Sequence, residues 1–280
     1  MKIINLIENT EGAPGCIFAH GLSFYVETEK HKLLMDIGPS QDTLTNADTL
    51  GIDIKAIDTV ILSHGHYDHS GGIMPFSKVN DHAVIYMQKT APGEYYADDG
   101  EGAPGGRYRY IGIDKAIADL PQVRFIEGDT VIDDELEIFV VKERTHELPS
   151  TNKRILMKRG NEYIRDDFRH EHFSVVRDKA SKKSVLISGC AHTGILSILD
   201  AYVEKFGACP DAVISGFHLM KKTDHTEAER NEIRDIAREL MGYPAHFYTC
   251  HCTGVPAYEL MKEIMGDRLT YVHSGEEVYV

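Results

Sequence analysis

The sequence contains no tryptophan, only five cysteines in 280 residues, and no uncharged apolar run of about 18 residues. Without such a run we expect no membrane-spanning helix. The N-terminal segment MKIINLIENTEG has an apolar part too short and too polar for a signal peptide. Because an odd number of cysteines without a secretory signal favours reduced thiols, we expect a cytoplasmic protein.

Basic residues are also scarce, with 30 Lys and Arg against 44 Asp and Glu and a net charge of −14. Nucleic-acid binding requires a basic surface, so we expect no nucleic-acid partner. The chain also lacks a GxSxG nucleophile elbow and a P-loop, which excludes two common kinds of catalytic site. The expected partner is a small-molecule substrate, and no sequence pattern specifies an oligomeric state.

The composition is otherwise that of a globular protein, with 42% hydrophobic and 26% charged residues. Strand-like segments dominate the first part, and helices alternate with strands after residue 194. This order predicts a single α/β domain over residues 1–280, with a helix after a Thr226 cap and a closing strand pair at 269–280. Residues 90–112 are rich in Gly, Pro and Tyr without periodicity, which predicts a functional loop or lid.

Histidine is abundant, with 15 residues, and three of these lie in one short segment, HGHYDH at 64–69. This segment directly follows the apolar strand AIDTVILS, where open α/β sheets place their ligands. Gly65 allows a sharp turn that lets His64 and His66 point to one side. Asp68 and His69 are offset and can serve a second centre. Imidazole and carboxylate ligands suit zinc, iron or manganese.

The HxHxDH string after a buried strand resembles the metallo-β-lactamase superfamily of dinuclear metallohydrolases. Further strings resemble its branch labelled as dihydropterin-ribofuranosylaminobenzene-phosphate synthase-like: AHGLS at 19–23, LMDIG at 34–38, ISGCAHTG at 187–194, GFHL at 216–219 and TCHCTG at 249–254. The resemblance implies a four-layer αββα sandwich with the metals at one edge between the two sheets.

The resemblance also implies two metal positions, with ligands His64, His66 and His192 for the first and Asp68, His69 and His251 for the second. His192 and His251 are the candidates for the two later ligands because each follows a strand. His146, in the string THELP, is an alternative to His192.

The chain departs from the superfamily pattern at Cys190, which follows Ser188-Gly189 where most members carry a bridging Asp. Three alternatives follow: Cys190 bridges the metals, only water bridges them, or the second position is weak. We therefore expect one or two zinc ions, with iron or manganese as alternatives. The resemblance implies that Asp36 hydrogen-bonds a ligand imidazole from behind.

Candidates for substrate binding are His218, Arg107 and Arg109, since guanidinium groups can clamp a phosphate. Cys250 and Cys252 flank His251, but without a second such pair we expect small buried residues rather than a zinc knuckle. Six histidines are expected to be structural or at the surface: His20, His31, His82, His225, His246 and His273.

Our main functional hypothesis is a hydrolase in which metal-bound hydroxide attacks the substrate and Asp68 orients the hydroxide and takes its proton. The branch label suggests a small anionic substrate, phosphorylated or heteroaromatic. Two alternatives are a non-catalytic metal-bound sensor or binding protein and a di-iron redox protein of the same fold. The flavodiiron proteins typically carry Glu where this chain has His66, which disfavours the redox alternative.

Overall fold

The polypeptide forms three β-sheets and six α-helices in the structure, a computed structural model that describes residues 1–280. The strands are β1 (Lys2–Ile7), β2 (Ser23–Glu27), β3 (Lys32–Met35), β4 (Thr59–Ile61), β5 (Val84–Gln88), β6 (Tyr95–Asp98), β7 (Tyr108–Tyr110), β8 (Val123–Ile126), β9 (Thr130–Val131), β10 (Leu136–Phe139), β11 (Ile155–Arg159), β12 (Glu162–Arg165), β13 (Phe173–Asp178), β14 (Lys183–Ile187), β15 (Ala212–Ser215), β16 (His246–Thr249), β17 (Leu269–Tyr271) and β18 (Glu277–Val278). The helices are α1 (Asp42–Thr49), α2 (Tyr67–Ser70), α3 (Ile73–Ser77), α4 (Ile195–Phe206), α5 (Glu227–Leu240) and α6 (Val255–Met265).

Two of the sheets contain seven strands each. The first has the order β18-β1-β2-β3-β4-β5-β8, and the second has the order β17-β16-β15-β14-β13-β10-β9. Strands β3, β4, β5 and β8 are parallel, as are β14, β15, β16 and β17. Each sheet therefore has one edge at which several strand C-termini meet.

Alternation along the strands divides the apolar side chains between layers, because successive side chains of a strand point to opposite faces. In β3, Leu33 and Met35 face the second sheet, whereas Leu34 packs with the helices on the outer face. In β14, Val185 and Ile187 complete the core between the sheets.

The helices cover the outer faces of the two sheets. Side chains from α1 and α3, including Ala47 and Phe76, pack on the first sheet. Side chains from α4, α5 and α6, including Leu199, Ile233 and Met261, pack on the second. The chain is thus an α/β protein with the predicted αββα layers.

Residues 90–112 differ from the loop expected from their composition. They contain β6 and β7, which pair with β11 and β12 in a four-stranded sheet ordered β12-β11-β6-β7. Its apolar side is small, with Tyr95, Ala97 and Ile155 buried. Strands of three and four residues rich in tyrosine carry little alternation, which is why the sequence pattern did not reveal them.

The closing strand pair expected at 269–280 is wrong, because β17 extends the second sheet while β18 pairs with β1 in the first. The Thr226 cap of α5 is confirmed: Thr226 and Glu229 form a reciprocal capping box. None of the helices has the length and apolar character that a membrane crossing requires.

Candidate metal centre

The loops that follow five parallel strands meet at one edge between the two large sheets. Asp36 follows β3 and His64 follows β4 in the first sheet. In the second, His192 follows β14, His218 follows β15 and His251 follows β16. Four residues of this edge have a left-handed backbone, with φ of 60° at Asp36, 54° at Ala191, 49° at His218 and 50° at His251. Such strained conformations in non-glycine residues concentrate at functional sites.

The first of these loops turns immediately after β4 and leads into α2. A Cβ at Gly65 would lie 2.4 Å from the backbone oxygen of Ala91, so only glycine fits this turn. The Gly65 N–H donates to Nδ1 of His170 at 3.0 Å, and Nε2 of His170 donates to Asp166, also at 3.0 Å. His170 therefore holds the turn that separates His64 from His66.

His64, His66 and His192 form a buried cluster that we call the imidazole position. One ring nitrogen from each lies within 4.8 Å of the other two. The Nε2 atom of each ring is buried without a hydrogen-bond partner. A buried polar atom without a partner is rare in a folded protein and calls for an explanation. Three of them on converging imidazoles fit a divalent metal such as zinc.

Electrostatics keep these three imidazoles neutral. Burial, reinforced by the neighbouring imidazoles, holds the pKa of His64 and of His192 well below the usual range. For His66, burial is again the main cause and lowers the pKa to about 3. Neutral imidazole is the form that binds a metal.

A second group, the carboxylate position, consists of Asp68, His251 and His20. The Oδ2 atom of Asp68 lies 3.5 Å from Nε2 of His251, 3.4 Å from Nε2 of His20 and 3.9 Å from Nε2 of His69. Burial alone would raise the pKa of Asp68, but the surrounding imidazoles outweigh it and hold that pKa well below its usual range. The carboxylate is therefore ionised and available to a metal.

Two matched pairs of residues hold the later histidines. The Asn152 side-chain amide accepts a hydrogen bond from Nδ1 of His192 at 2.9 Å and donates one to the backbone oxygen of His192 at 2.7 Å. The Glu171 carboxylate accepts a hydrogen bond from the backbone N–H of His192 at 2.7 Å. Around His251 the same three bonds are made at 2.9, 3.2 and 2.9 Å. Asn9 makes the first two of these bonds, and Glu8 accepts the third from the backbone N–H of His251. Each Asn–Glu clamp leaves the Nε2 lone pair of its histidine free toward the site.

Asp36 lies behind His69, on the side away from the cavity. Its carboxylate accepts from Nδ1 of His69 at 2.6 Å and from the N–H and hydroxyl of Ser63, each at 2.7 Å. Burial of His69 opposes its charge, but Asp36 and Asp68 outweigh burial and raise its pKa to about 9. A Cβ at Gly189 would lie 2.3 Å from the Ser63 hydroxyl, so the neighbouring loop packs directly on this network.

A third group, the thiol position, contains Cys190, Cys252 and His218, with one ligand atom from each within 4.8 Å of the others. Sγ of Cys190 also lies 3.1 Å from Nε2 of His69. Burial raises the pKa of Cys190 well above its usual range. Burial opposes ionisation of Cys252 as well, but hydrogen bonds with Cys190 and His218 outweigh it and lower its pKa.

Members of all three groups line one cavity of about 570 Å³. Its mouth carries the cationic residues Arg109, Lys153, Arg154, Lys221 and Lys222. Arg109 and Arg154 both pair with Asp99, and Lys221 pairs with Glu229. Lys153 and Lys222 are exposed and make no ion pair, so they add positive charge to the cavity lining.

The structure brings together all six predicted ligands, with Cys190 and Asp36 beside them and His218 and Arg109 in the same cavity. Arg107 does not line it, and its exposed guanidinium donates to both carboxylate oxygens of Asp98. His146 lies elsewhere, 3.1 Å from Asp200, and His192 occupies the place beside His64 and His66.

Sequence reasoning missed several residues of this site. His20 and Cys252 received no functional role, although both line the cavity. The clamp residues Glu8, Asn9, Asn152 and Glu171 received none either. The strings AHGLS and TCHCTG, which contain His20 and Cys252, were the available signal for those two residues.

The layered fold and the histidine-rich sheet edge define a class, and comparison with known proteins agrees with it. The family model described as the metallo-beta-lactamase superfamily matches residues 17–149. The solved structure of a metal-dependent hydrolase of the beta-lactamase superfamily is 29% identical, with a TM-score of 0.82 over 100% of this chain and 99% of that chain. The chain therefore has the metallo-beta-lactamase fold, which implies a metal, and it resembles the metallo-beta-lactamase superfamily.

Two full-length relatives come from Methanocaldococcus jannaschii. One is named 7,8-dihydropterin-6-methyl-4-(beta-D-ribofuranosyl)-aminobenzene-5'-phosphate synthase; it is 27% identical over 99% of this chain and 95% of its own length. The other is an uncharacterized protein, 27% identical over 97% of both chains. The chain therefore resembles the synthase-like branch of the superfamily.

Proposed function

We propose that this protein is a metal-dependent hydrolase of a small anionic substrate. The observation that carries the proposal is the convergence of three buried Nε2 atoms without partners at the end of an open cavity. A structural histidine cluster would pair these atoms internally, whereas a metal ligand leaves its lone pair free. The open cavity beside them provides the access to substrate that a purely structural metal does not need.

A divalent metal bound at these residues would supply activation of water and polarisation of the scissile bond. His64, His66 and His192 would hold it at the imidazole position. Asp68 is ionised and lies at the cavity surface, so it can accept a hydrogen bond from the attacking water and orient it. No serine or cysteine nucleophile is required.

The cavity mouth supports an anionic substrate despite the acidity of the whole chain. Lys153 and Lys222 present unpaired ammonium groups, and Arg109 and Arg154 lie beside them. Cations that line a cleft raise the local concentration of anionic ligands. The name of the synthase relative contains a 5'-phosphate, which is consistent with a phosphorylated substrate for this chain too.

The test is metal analysis combined with turnover of phosphomonoester, phosphodiester and lactone substrates by the wild type, His66→Ala and His82→Ala. His82 is an exposed histidine far from the site and serves as the matched control. We expect His66→Ala to lose at least about a thousandfold in turnover, because metal activation contributes several kcal/mol. Equal turnover in both variants, or full activity in metal-free protein, would contradict the proposal.

A further inference from the structure

The thiol position carries an inference beyond the proposed hydrolase. Cys190 follows β14, His218 follows β15 and Cys252 lies one residue beyond His251. Three parallel neighbouring strands thus deliver two sulfur atoms and an imidazole to one point, with their ligand atoms within 4.8 Å of one another. Both cysteines are buried, and both line the cavity.

Cys250 shows what a purely structural cysteine looks like in this protein. Its side chain belongs to the apolar core between the two sheets. Cys190 and Cys252 belong to none of the apolar clusters and instead face imidazoles. The extended path ends at His251, which has a φ of 50° and begins a 3₁₀ turn, so Cys250 lies in the core and Cys252 at the site.

The surrounding backbone is shaped to accept these thiols. A Cβ at Gly216 would lie 2.4 Å from Sγ of Cys252, so glycine leaves the room that the sulfur occupies. His218 has a left-handed backbone at φ 49°, and its Nδ1 atom is buried without a partner. His218 therefore has both a strained backbone and a ring nitrogen without a partner, and it belongs to the same group as the two cysteines.

We propose that Cys190, His218 and Cys252 form a binding site for a thiophilic divalent ion such as zinc, separate from the imidazole position. Thiolate and imidazole ligands together select zinc over magnesium or calcium. The fourth ligand comes from His69, whose Nε2 lies 3.1 Å from Sγ of Cys190, or from water in the cavity. This site would give the chain a sulfur-bound ion beside a nitrogen-bound one.

The experiment uses the full-length protein, reduced, stripped with a chelator and reloaded with excess zinc. Bound zinc is counted, and its ligands are identified by X-ray absorption spectroscopy. For the wild type we expect a sulfur shell at about 2.3 Å from zinc with two sulfurs per sulfur-bound ion. Cys252→Ser should lose one zinc per chain and reduce this shell, whereas Cys209→Ser, at a partly exposed cysteine outside the cavity, should change neither.

Cys252→Ser separates this proposal from a simpler one in which Cys190 alone contacts an ion at the carboxylate position. In that case the variant would keep its zinc content and its sulfur shell, and the proposal would be overturned. Absence of a sulfur shell in the zinc-loaded wild type would overturn it as well.

Cadmium titration of the wild type covers the case in which the variant fails to fold. The ultraviolet absorption of cadmium thiolates should correspond to two sulfurs per chain, and one or none would contradict the site. His66→Ala should keep the sulfur shell while losing turnover, so failure here and failure of the proposed hydrolase have different signatures.

Discussion

The two ends of strands β3 and β4 use histidine in opposite ways. At their N-terminal end, His31 has both ring nitrogens paired, Nδ1 with Asp58 at 2.8 Å and Nε2 with Asp133 at 3.0 Å. At their C-terminal end, His64 pairs only Nδ1, with the Ser63 hydroxyl at 2.9 Å, and leaves Nε2 without a partner. His31 and His64 therefore differ in the number of engaged ring nitrogens, two at the N-terminal end and one at the C-terminal end.

The difference extends to protonation. Partial burial opposes charge on His31, but its bonds to Asp58 and Asp133 outweigh burial and raise its pKa. Burial of His64 acts without a compensating carboxylate and lowers its pKa. The surroundings therefore favour the cationic form of histidine at one end of the sheet and the neutral form at the other.

The largest predicted effect is loss of the stabilisation that bound metal provides. A metal present at about 1,000 times its Kd stabilises the folded state by about 4 kcal/mol, so chelation should lower the Tm of the wild type by several degrees. His64→Ala should reduce this chelator effect to the part that comes from ions bound elsewhere, whereas His31→Ala should retain all of it. The measurement is thermal unfolding of each variant with zinc and with chelator. A chelator effect of wild-type size in His64→Ala would remove the distinction between the two ends.

The next effect concerns the two Asn–Glu clamps, which bind Nδ1 of His192 and of His251 and so leave Nε2 of each free to bind a metal. Asn152→Ala and Asn9→Ala remove the acceptor at Nδ1 of His192 and His251. We expect each to weaken metal binding by about ten- to a hundredfold, the usual cost of losing such a supporting contact. Competition with a chromogenic chelator measures this affinity, and Asn161→Ala, in the exposed turn between β11 and β12, is the control.

The clamps predict two separate outcomes because they hold different positions. Asn152→Ala should weaken the ion at the imidazole position, whereas Asn9→Ala should weaken only an ion at the carboxylate position. Unchanged affinity in both variants would show that the amides do not orient the ligands.

The sequence pattern predicted those site residues that lie close together in the chain. His64, His66, Asp68 and His69 lie within six residues after one apolar strand, so composition and strand position were enough to group them. The layers of the fold followed from the family resemblance and agree with the structure.

The clamps could not be predicted because their partners are distant in sequence. Asn9 lies 242 residues from His251 and Asn152 lies 40 residues from His192, and only the complete sheets bring them together. His20 was expected at the surface, where its side chain is indeed 49% exposed, yet it also lies 3.4 Å from Asp68. Exposure and participation in the site are compatible at a cavity wall, and no sequence pattern distinguishes them.

The smallest predicted effect is the pH dependence of the contribution that His31, at the N-terminal end of β3, makes to stability. Because the pKa of His31 is raised in the folded state, its contribution to stability is fully present below the unfolded value of about 6.5. That contribution is lost as the pH rises through the folded pKa. Asp58 is partly exposed, so we expect a total contribution below about 1 kcal/mol.

Urea unfolding of the wild type and His31→Gln, both saturated with zinc, isolates this contribution. Groups that titrate equally in both proteins cancel in the difference between their free energies of unfolding. The difference should favour the wild type most at about pH 5.5 and shrink toward about pH 8.5, on either side of the ordinary histidine pKa. If it instead grew with pH, His31 would have to be neutral in the folded protein. The two ends of β3 and β4 would then no longer differ in the charge of their histidines, only in the number of nitrogens engaged.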